Sequence, residues 1–363
     1  MASTYKLKVL VCSYFHNSCY LKNISYGLVM DLLSATAECL LGTPEAILAR
    51  AWPTPRHRAR QLLHRWHPDR NPEPRATAVF AHLQAAQRQW AVGRVSHPLC
   101  WATPDGAVSL RYLRRVPTAV GEAFYGAHVL LDTVHPDQAD LIGPAQDLLA
   151  HWPFASPTME TQIRPLLPPT MRHVPTATDH LLVRDRPAGM IRLRELLAHV
   201  GGQLDPRHVA WIGSALWNLA CYLHYAQVAH QALSLDSVWI HPADHRIAVL
   251  DPWLFAGRMG SPLRALPQAT LTLAPRAYLA ARTVDASIDH HLIRALLREL
   301  LGDRTGMNLS PTLPHPLAAF VRLPASGTAV AQYTTWKQTL AASFGKPTFV
   351  ALTVSPTDID PEN

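Results

Sequence analysis

The sequence predicts an α+β chain: a small all-α helical hairpin followed by a two-lobed domain whose strands come before its helices. Three observations predict it. The net charge of +7 is concentrated between Arg50 and Arg94, where nine arginines face only Asp69 and Glu73, so a short basic segment is joined to a neutral body. Within that segment the apolar residues keep a helical period on both sides of a proline-broken loop. Beyond residue 108 short apolar runs give way to long helical stretches, the order of a strand-rich lobe followed by a helical one.

The 363 residues exceed one small domain, and a composition of 48% hydrophobic and 16% charged residues permits sizeable cores. The 31 prolines predict many breaks and turns. Residues 1–44 read as a leader of uncertain structure, with a loose apolar face over 27–41 from Leu28, Leu32, Leu33, Leu40 and Leu41. "VLVCSYFHNSCY" turns polar too soon for a signal peptide. Residues 45–94 form the hairpin. Thr54 and Pro55 suit a helix start, and Ala59, Leu62, Leu63 and Trp66 fall on one helical face with Arg56, Arg58, Arg60 and Arg65 on the others. Pro68 stops this helix. Ala76, Val79, Phe80, Leu83, Ala86 and Trp90 start another, which Gly93 ends.

Residues 95–107 read as a linker, 108–350 as the larger domain and 351–363 as a flexible tail. "VSLRYL" and "FYGAHVLLDTV" read as strands, 138–150 as a helix, 151–178 as irregular and proline-rich, and "DHLLVRD" as a further strand. Helices are expected at 190–200, 206–226, 287–301 and 330–344. Short strands "SVWIH" and "IAVLD" lie between them. The uncharged stretch 209–229 has membrane-span length, but Asn218, His224 and Gln227 interrupt it and a buried core helix accounts for it. Cys12, Cys19, Cys39, Cys100 and Cys221 form no C-x-x-C pair. That fits reduced thiols and a cytoplasmic location.

The stretch "RHRARQLLHRWHPDRNPEPRATAVFAHLQAAQRQW" resembles a J domain, the part of DnaJ-type co-chaperones that stimulates the ATPase of the seventy-kilodalton heat-shock chaperone. A basic amphipathic helix runs into His67-Pro68-Asp69, Arg70-Asn71-Pro72 follows, and an Ala/Phe-patterned helix comes next. The resemblance implies that His67 donates hydrogen bonds, Pro68 stiffens the loop and Asp69 pairs with a guanidinium on the chaperone. Arg56, Arg58, Arg60, Arg65 and Arg70 would steer toward its acidic surface. The usual first helix, with a Tyr-x-x-Leu-Gly pattern, is represented only by "ECLLGTPEAILARAW". His135-Pro136-Asp137 repeats the tripeptide without a basic helix before it and reads as a turn. "IHPADH" reads as a hairpin turn between strands.

"YLHYAQVAHQALSLDSVWIHPADHRIAVLDPWLFAG" resembles the catalytic-loop region of protein kinases, and a weaker likeness extends over about 108–345. The parts that phosphoryl transfer needs are degraded. His-Arg-Asp becomes His230-Gln231-Ala232, so alanine stands at the base position. Ser237 stands at the Asn position, and Asp251-Pro252-Trp253 replaces Asp-Phe-Gly. The third-strand lysine falls near Asp132, and the chain's lysines are Lys6, Lys8, Lys22, Lys337 and Lys346, with none between residues 23 and 336. The glycine loop is reduced to Gly121 and Gly126, and the helix glutamate falls near Pro144. The resemblance therefore implies a pseudokinase without catalytic residues, resident cofactor or metal, in which nucleotide binding is weak or absent. Adjacent residues Asp289, His290 and His291 do not share a helical face and suit a common ion poorly.

The expectation is a co-chaperone or adaptor: the hairpin recruits and stimulates the heat-shock chaperone, while the kinase-like domain binds a client protein. Localised charge speaks for one acidic partner surface and against nucleic acid or membrane. Two alternatives stand beside it: an atypical kinase with rearranged residues, and a scaffold whose hairpin no longer engages a chaperone.

Overall fold

The computed structural model describes residues 35–43, 48, 56–92, 97–104, 106–169, 171–251 and 253–359. Most of the leader, Thr54, Pro55, Gly93, Cys12 and Cys19 lie outside the described residues. The chain forms two compact units, Met1–Val95 and Ser96–Asn363.

The first unit contains helices α1 (Ala37–Gly42), α2 (Arg56–Arg65) and α3 (Ala76–Val92). Its core joins Leu40, Leu48, Leu62, Trp66, Val79, Leu83 and Ala86, all nearly excluded from solvent. The expected periods in α2 and α3 thus point to one shared core. The boundary expected at residue 45 is too late. Thr36 caps α1 by accepting from the Cys39 amide at 3.3 Å, and His82 of α3 bonds the Thr43 carbonyl at 2.9 Å. Leu40 is buried because a hairpin alone leaves one side of α3 uncovered.

In the second unit the expected linker is a β-hairpin. Strand β1 (His97–Thr103) pairs antiparallel with β2 (Gly106–Tyr112), Thr103 opposite Gly106. Proline and glycine there mark a strand end and a turn rather than a tether. A five-stranded antiparallel sheet follows in the order β3-β4-β5-β7-β6. It is built from β3 (Arg114–Pro117), β4 (Gly121–Tyr125), β5 (Val129–Val134), β6 (Arg172–Pro175) and β7 (His180–Asp185). "FYGAHVLLDTV" is therefore two strands, folded back where the Gly126 amide donates to the Val129 carbonyl at 2.8 Å. His135-Pro136-Asp137 opens a 3-10 turn, Pro136–Leu141, which leads into α4 (Ile142–Ala150). The stretch expected to be irregular holds α5 (Pro157–Ile163), capped by Ser156 at 3.1 Å, and the edge strand β6.

Next come β8 (Ile191–Arg192), α6 (Leu193–His199), α7 (Pro206–Tyr225), β9 (Val228–Ala229), β10 (Val238–His241), β11 (Arg246–Val249) and β12 (Gly257–Arg258). Strands β10 and β11 form the expected hairpin, and β12 pairs with β9. Helices α8 (Gln268–Leu271), α9 (Arg276–Ala281), α10 (Ser287–Leu300), α11 (His315–Arg322), α12 (Ala329–Phe344) and α13 (Pro356–Ile359) complete the order. The proline-flanked α8, α9 and α11 are too short for their period to stand out in sequence.

The main core surrounds α7, whose Ile212, Leu216 and Trp217 are fully buried. Trp336 of α12 packs over Gly213, where a Cβ would come within 2.6 Å of the indole. Of the tail expected to be flexible, the described part is packed: Leu352, Val354 and Ile359 lie against this core, and residues 360–363 lie outside the described residues. No helix among the described residues is long and apolar enough to cross a membrane.

Candidate functional site

The bend after α2 is held from below and open above. Trp66 and Leu62 anchor it in the core. Asn71 donates from its side-chain amide to the Arg65 carbonyl at 3.0 Å, closing the helix end, and accepts the Glu73 amide at 3.0 Å. The His67 carbonyl receives the Arg70 and Asn71 amides, each at 3.0 Å. The Asp69 amide also donates to the His67 ring nitrogen Nδ1 at 3.3 Å, and none of these bonds uses the Asp69 carboxylate. The His67 ring meets the Phe80 ring edge-on at 5.1 Å. Pro68, Asp69 and Arg70 are exposed, and the Asp69 side chain is 84% accessible with only a long 3.7 Å approach to the His67 ring. Arg65 is exposed beside Trp66, and Arg70 meets His64. Arg56, Arg58 and Arg60 lie on α2, and their side chains are outside the described residues.

The larger unit buries a cluster of charged residues. Asp132 on β5 and Arg184 on β7 are diagonal neighbours on one sheet face, since Asp132 faces Leu182 in the register. The Arg184 guanidinium bridges the carboxylates of Asp132 and Asp251 and donates to the Leu250 carbonyl. Arg184 is 3% exposed. Trp239 adds a donor to Asp251 from its indole nitrogen at 3.3 Å. Burial pushes the Asp132 carboxyl up to about 7, with Arg184 pulling it back and Asp251 adding repulsion. Burial alone would lower Arg184, but the two carboxylates outweigh it and hold its pKa above the ordinary value. Burial is the main physical cause of the Asp132 shift, and sharing one cation with Asp251 adds to it.

The space beside this bridge is filled. Tyr125 and Trp239 meet at 5.5 Å within an apolar cluster that ties Ala123 and Leu130 of the sheet to Ala248 and Leu250 after β10. Arg186 lies over the Trp239 ring at 5.2 Å. Arg192 lies over the Tyr125 ring at 4.6 Å, donates to its hydroxyl at 2.7 Å and pairs with Glu195. Gly121 and Gly126 serve strand packing: a Cβ at Gly121 would meet the Thr133 carbonyl at 2.2 Å, and one at Gly126 the Arg111 and Val129 carbonyls at 3.1 Å.

The loop from His230 to Ser237 is a structural knot. Asp289, in the first turn of α10, accepts the His230 and Gln231 amides at 2.7 and 2.8 Å. Gln231 takes a left-handed φ of 64°. Its side chain accepts from the Tyr278 hydroxyl at 2.6 Å and donates to the Phe255 carbonyl at 2.5 Å, contacts that over-determine the strained backbone. His230 is wholly buried against Trp253 at 4.5 Å, and burial lowers its pKa to about 3. Ala232 joins an apolar cluster with Leu254 and Phe255. The Ser237 hydroxyl bonds Ser234 on both sides, donating to its carbonyl and accepting from its amide. Among the described residues no group of three or more His, Cys, Asp or Glu could hold a metal ion.

Two residues that decide this geometry escaped the sequence reading. Arg184 sits in "DHLLVRD" as one more strand charge. Its signal was Asp132 inside the apolar "VLLDTV", since a buried carboxylate demands a cation and the nearby sequence has no lysine. Asp289 was weighed only for a metal, although a lone acid in a helix's first turn is also an acceptor for neighbouring amides.

No protein-family model matches the chain, and no curated protein matches it. Among solved structures the chain is similar to the crystal structure of BubR1 kinase domain, at 11% identity and a TM-score of 0.48, over 68% of this chain and 84% of that one.

Proposed function

We propose that this protein is a non-catalytic co-chaperone adaptor. Its helical unit recruits a seventy-kilodalton heat-shock chaperone and stimulates its ATPase through His67, Pro68 and Asp69. The larger unit is a kinase-like fold that has lost phosphoryl transfer and binds a client or partner. The observation that carries the first half is the Asp69 carboxylate, solvent-facing at the tip of a turn whose own hydrogen bonds do not use it. An exposed carboxylate on a stiff loop is free to accept a bidentate guanidinium from a partner.

The second half follows from chemistry. Phosphoryl transfer requires cationic groups aimed at phosphates and a base aimed at the acceptor. In this chain Asp132 places negative charge where the resemblance asks for a lysine, Ala232 offers no base, and Arg184 already neutralises Asp251. Tyr125 and Trp239 fill the neighbouring space with aromatic rings. A metal-bound nucleotide would have to displace a buried cation paired to two carboxylates.

Single-turnover ATP hydrolysis by the chaperone, with and without the full chain, tests the reading. Stimulation that disappears in His67→Gln is expected. A chaperone rate that the wild-type chain leaves unchanged overturns it.

A further inference from the structure

A second surface lies on the larger unit. A cavity of about 250 Å³ opens between α4 and the chain around β12. Its floor is apolar, from Leu148, Leu254, Phe255 and Val284, and Arg258 and Arg264 form its rim. Both arginines are exposed, and neither has an ion-pair partner among the described residues. Residues 252–284 carry four arginines, Arg258, Arg264, Arg276 and Arg282, and no acidic residue. All four are exposed. Asp147 on α4 supplies the opposing charge at the far wall.

We propose that this cavity docks an acidic peptide segment of a partner protein, with one apolar side chain inserted between α4 and β12 and flanking carboxylates on Arg258 and Arg264. This deepens the client-binding half of the proposed function, but it does not depend on the hairpin engaging a chaperone. Three features select the occupant. The volume is below the roughly 300–1,000 Å³ of small-molecule and cofactor sites, so it fits a side chain better than a nucleotide. The rim is cationic and unpaired, so an anionic partner gains charge-assisted hydrogen bonds without breaking existing ones. Nucleic-acid grooves stack bases on aromatic faces, whereas the one aromatic side chain in this lining, Phe255, is buried in the floor. The floor is also rigid, because Gln231 bonds Phe255 and Tyr278 beneath it.

The test is fluorescence anisotropy on the full chain with a fluorescein-labelled glutamate-rich peptide carrying one central phenylalanine. Binding should weaken with salt and fall about tenfold or more in the double variant Arg258→Glu/Arg264→Glu. It should weaken when the phenylalanine becomes serine and strengthen in Asp147→Lys. His67→Gln should leave it unchanged, which separates this surface from the proposed chaperone-binding bend. The milder single variants Arg258→Gln and Arg264→Gln give the same reading if the double variant melts early. Absence of binding, equal binding by the serine peptide, indifference to both arginines, or displacement of the peptide by a single-stranded oligonucleotide would each overturn the proposal.

Discussion

Arg184 is the residue on which the larger unit's charge balance turns. Its guanidinium serves two buried carboxylates and a carbonyl. Arg184→Met would keep much of the bulk and remove the cation, leaving Asp132 and Asp251 buried without compensation. The expected cost is about 3–5 kcal/mol, read as a lower denaturation midpoint. Adding Asp132→Asn and Asp251→Asn should recover much of it, because the uncompensated charges go. A related prediction concerns pH. The Asp132 carboxyl is raised from 3.8 to about 7 on folding, so the native state holds this proton more tightly than the unfolded chain. The associated stability is present below the unfolded value and is lost as pH rises through about 7. Urea unfolding across that window should show a decline in wild type that Asp132→Asn reduces, the remainder coming from Asp289, whose carboxyl burial also raises to about 7. At the exposed bend, Asp69→Asn should shift stability by no more than about 0.5 kcal/mol by thermal denaturation, since no fold contact depends on that carboxylate.

At the scale of elements, long periodic segments were legible and short ones were not. Helices α2, α3, α7, α10 and α12 follow the apolar spacing in sequence to within a few residues. The hairpin of β1 and β2 was hidden because "SHPLCWATPDGA" mixes proline, glycine and aromatic residues, which suits a turn as well as a strand. The packed tail was hidden because Leu352, Val354 and Ile359 are spaced without helical or strand period, and only the core they cover explains them. The position of the bend between two helices was legible because its signal is local, three consecutive residues, whereas the Asn71 bond that closes the helix end was not. The Arg184 bridge was not, because Asp132, Arg184 and Asp251 meet only after the sheet and the β10–β11 hairpin are in place. Packing predicts that Gly213→Ala destabilises by about 1–3 kcal/mol, since the new methyl would press on Trp336. A thermal melt compared with Ala210→Gly, on the same helix, would separate overpacking from helix propensity.

For the whole molecule the two units divide their polar chemistry in opposite ways. The helical unit turns a carboxylate outward on a bend that its own hydrogen bonds already hold. The larger unit buries the carboxylates of Asp132, Asp251 and Asp289 and sets arginine, backbone amides and an indole against them. The proposed function therefore assigns activity through a partner to Asp69 and an architectural role to Asp251. Comparing Asp69→Asn with Asp251→Asn in one chaperone ATPase assay is the most direct measurement of that division. The account predicts that Asp69→Asn abolishes the stimulation and that folded Asp251→Asn retains it. Stimulation that survives Asp69→Asn, or that vanishes with Asp251→Asn while the protein stays folded, would contradict it.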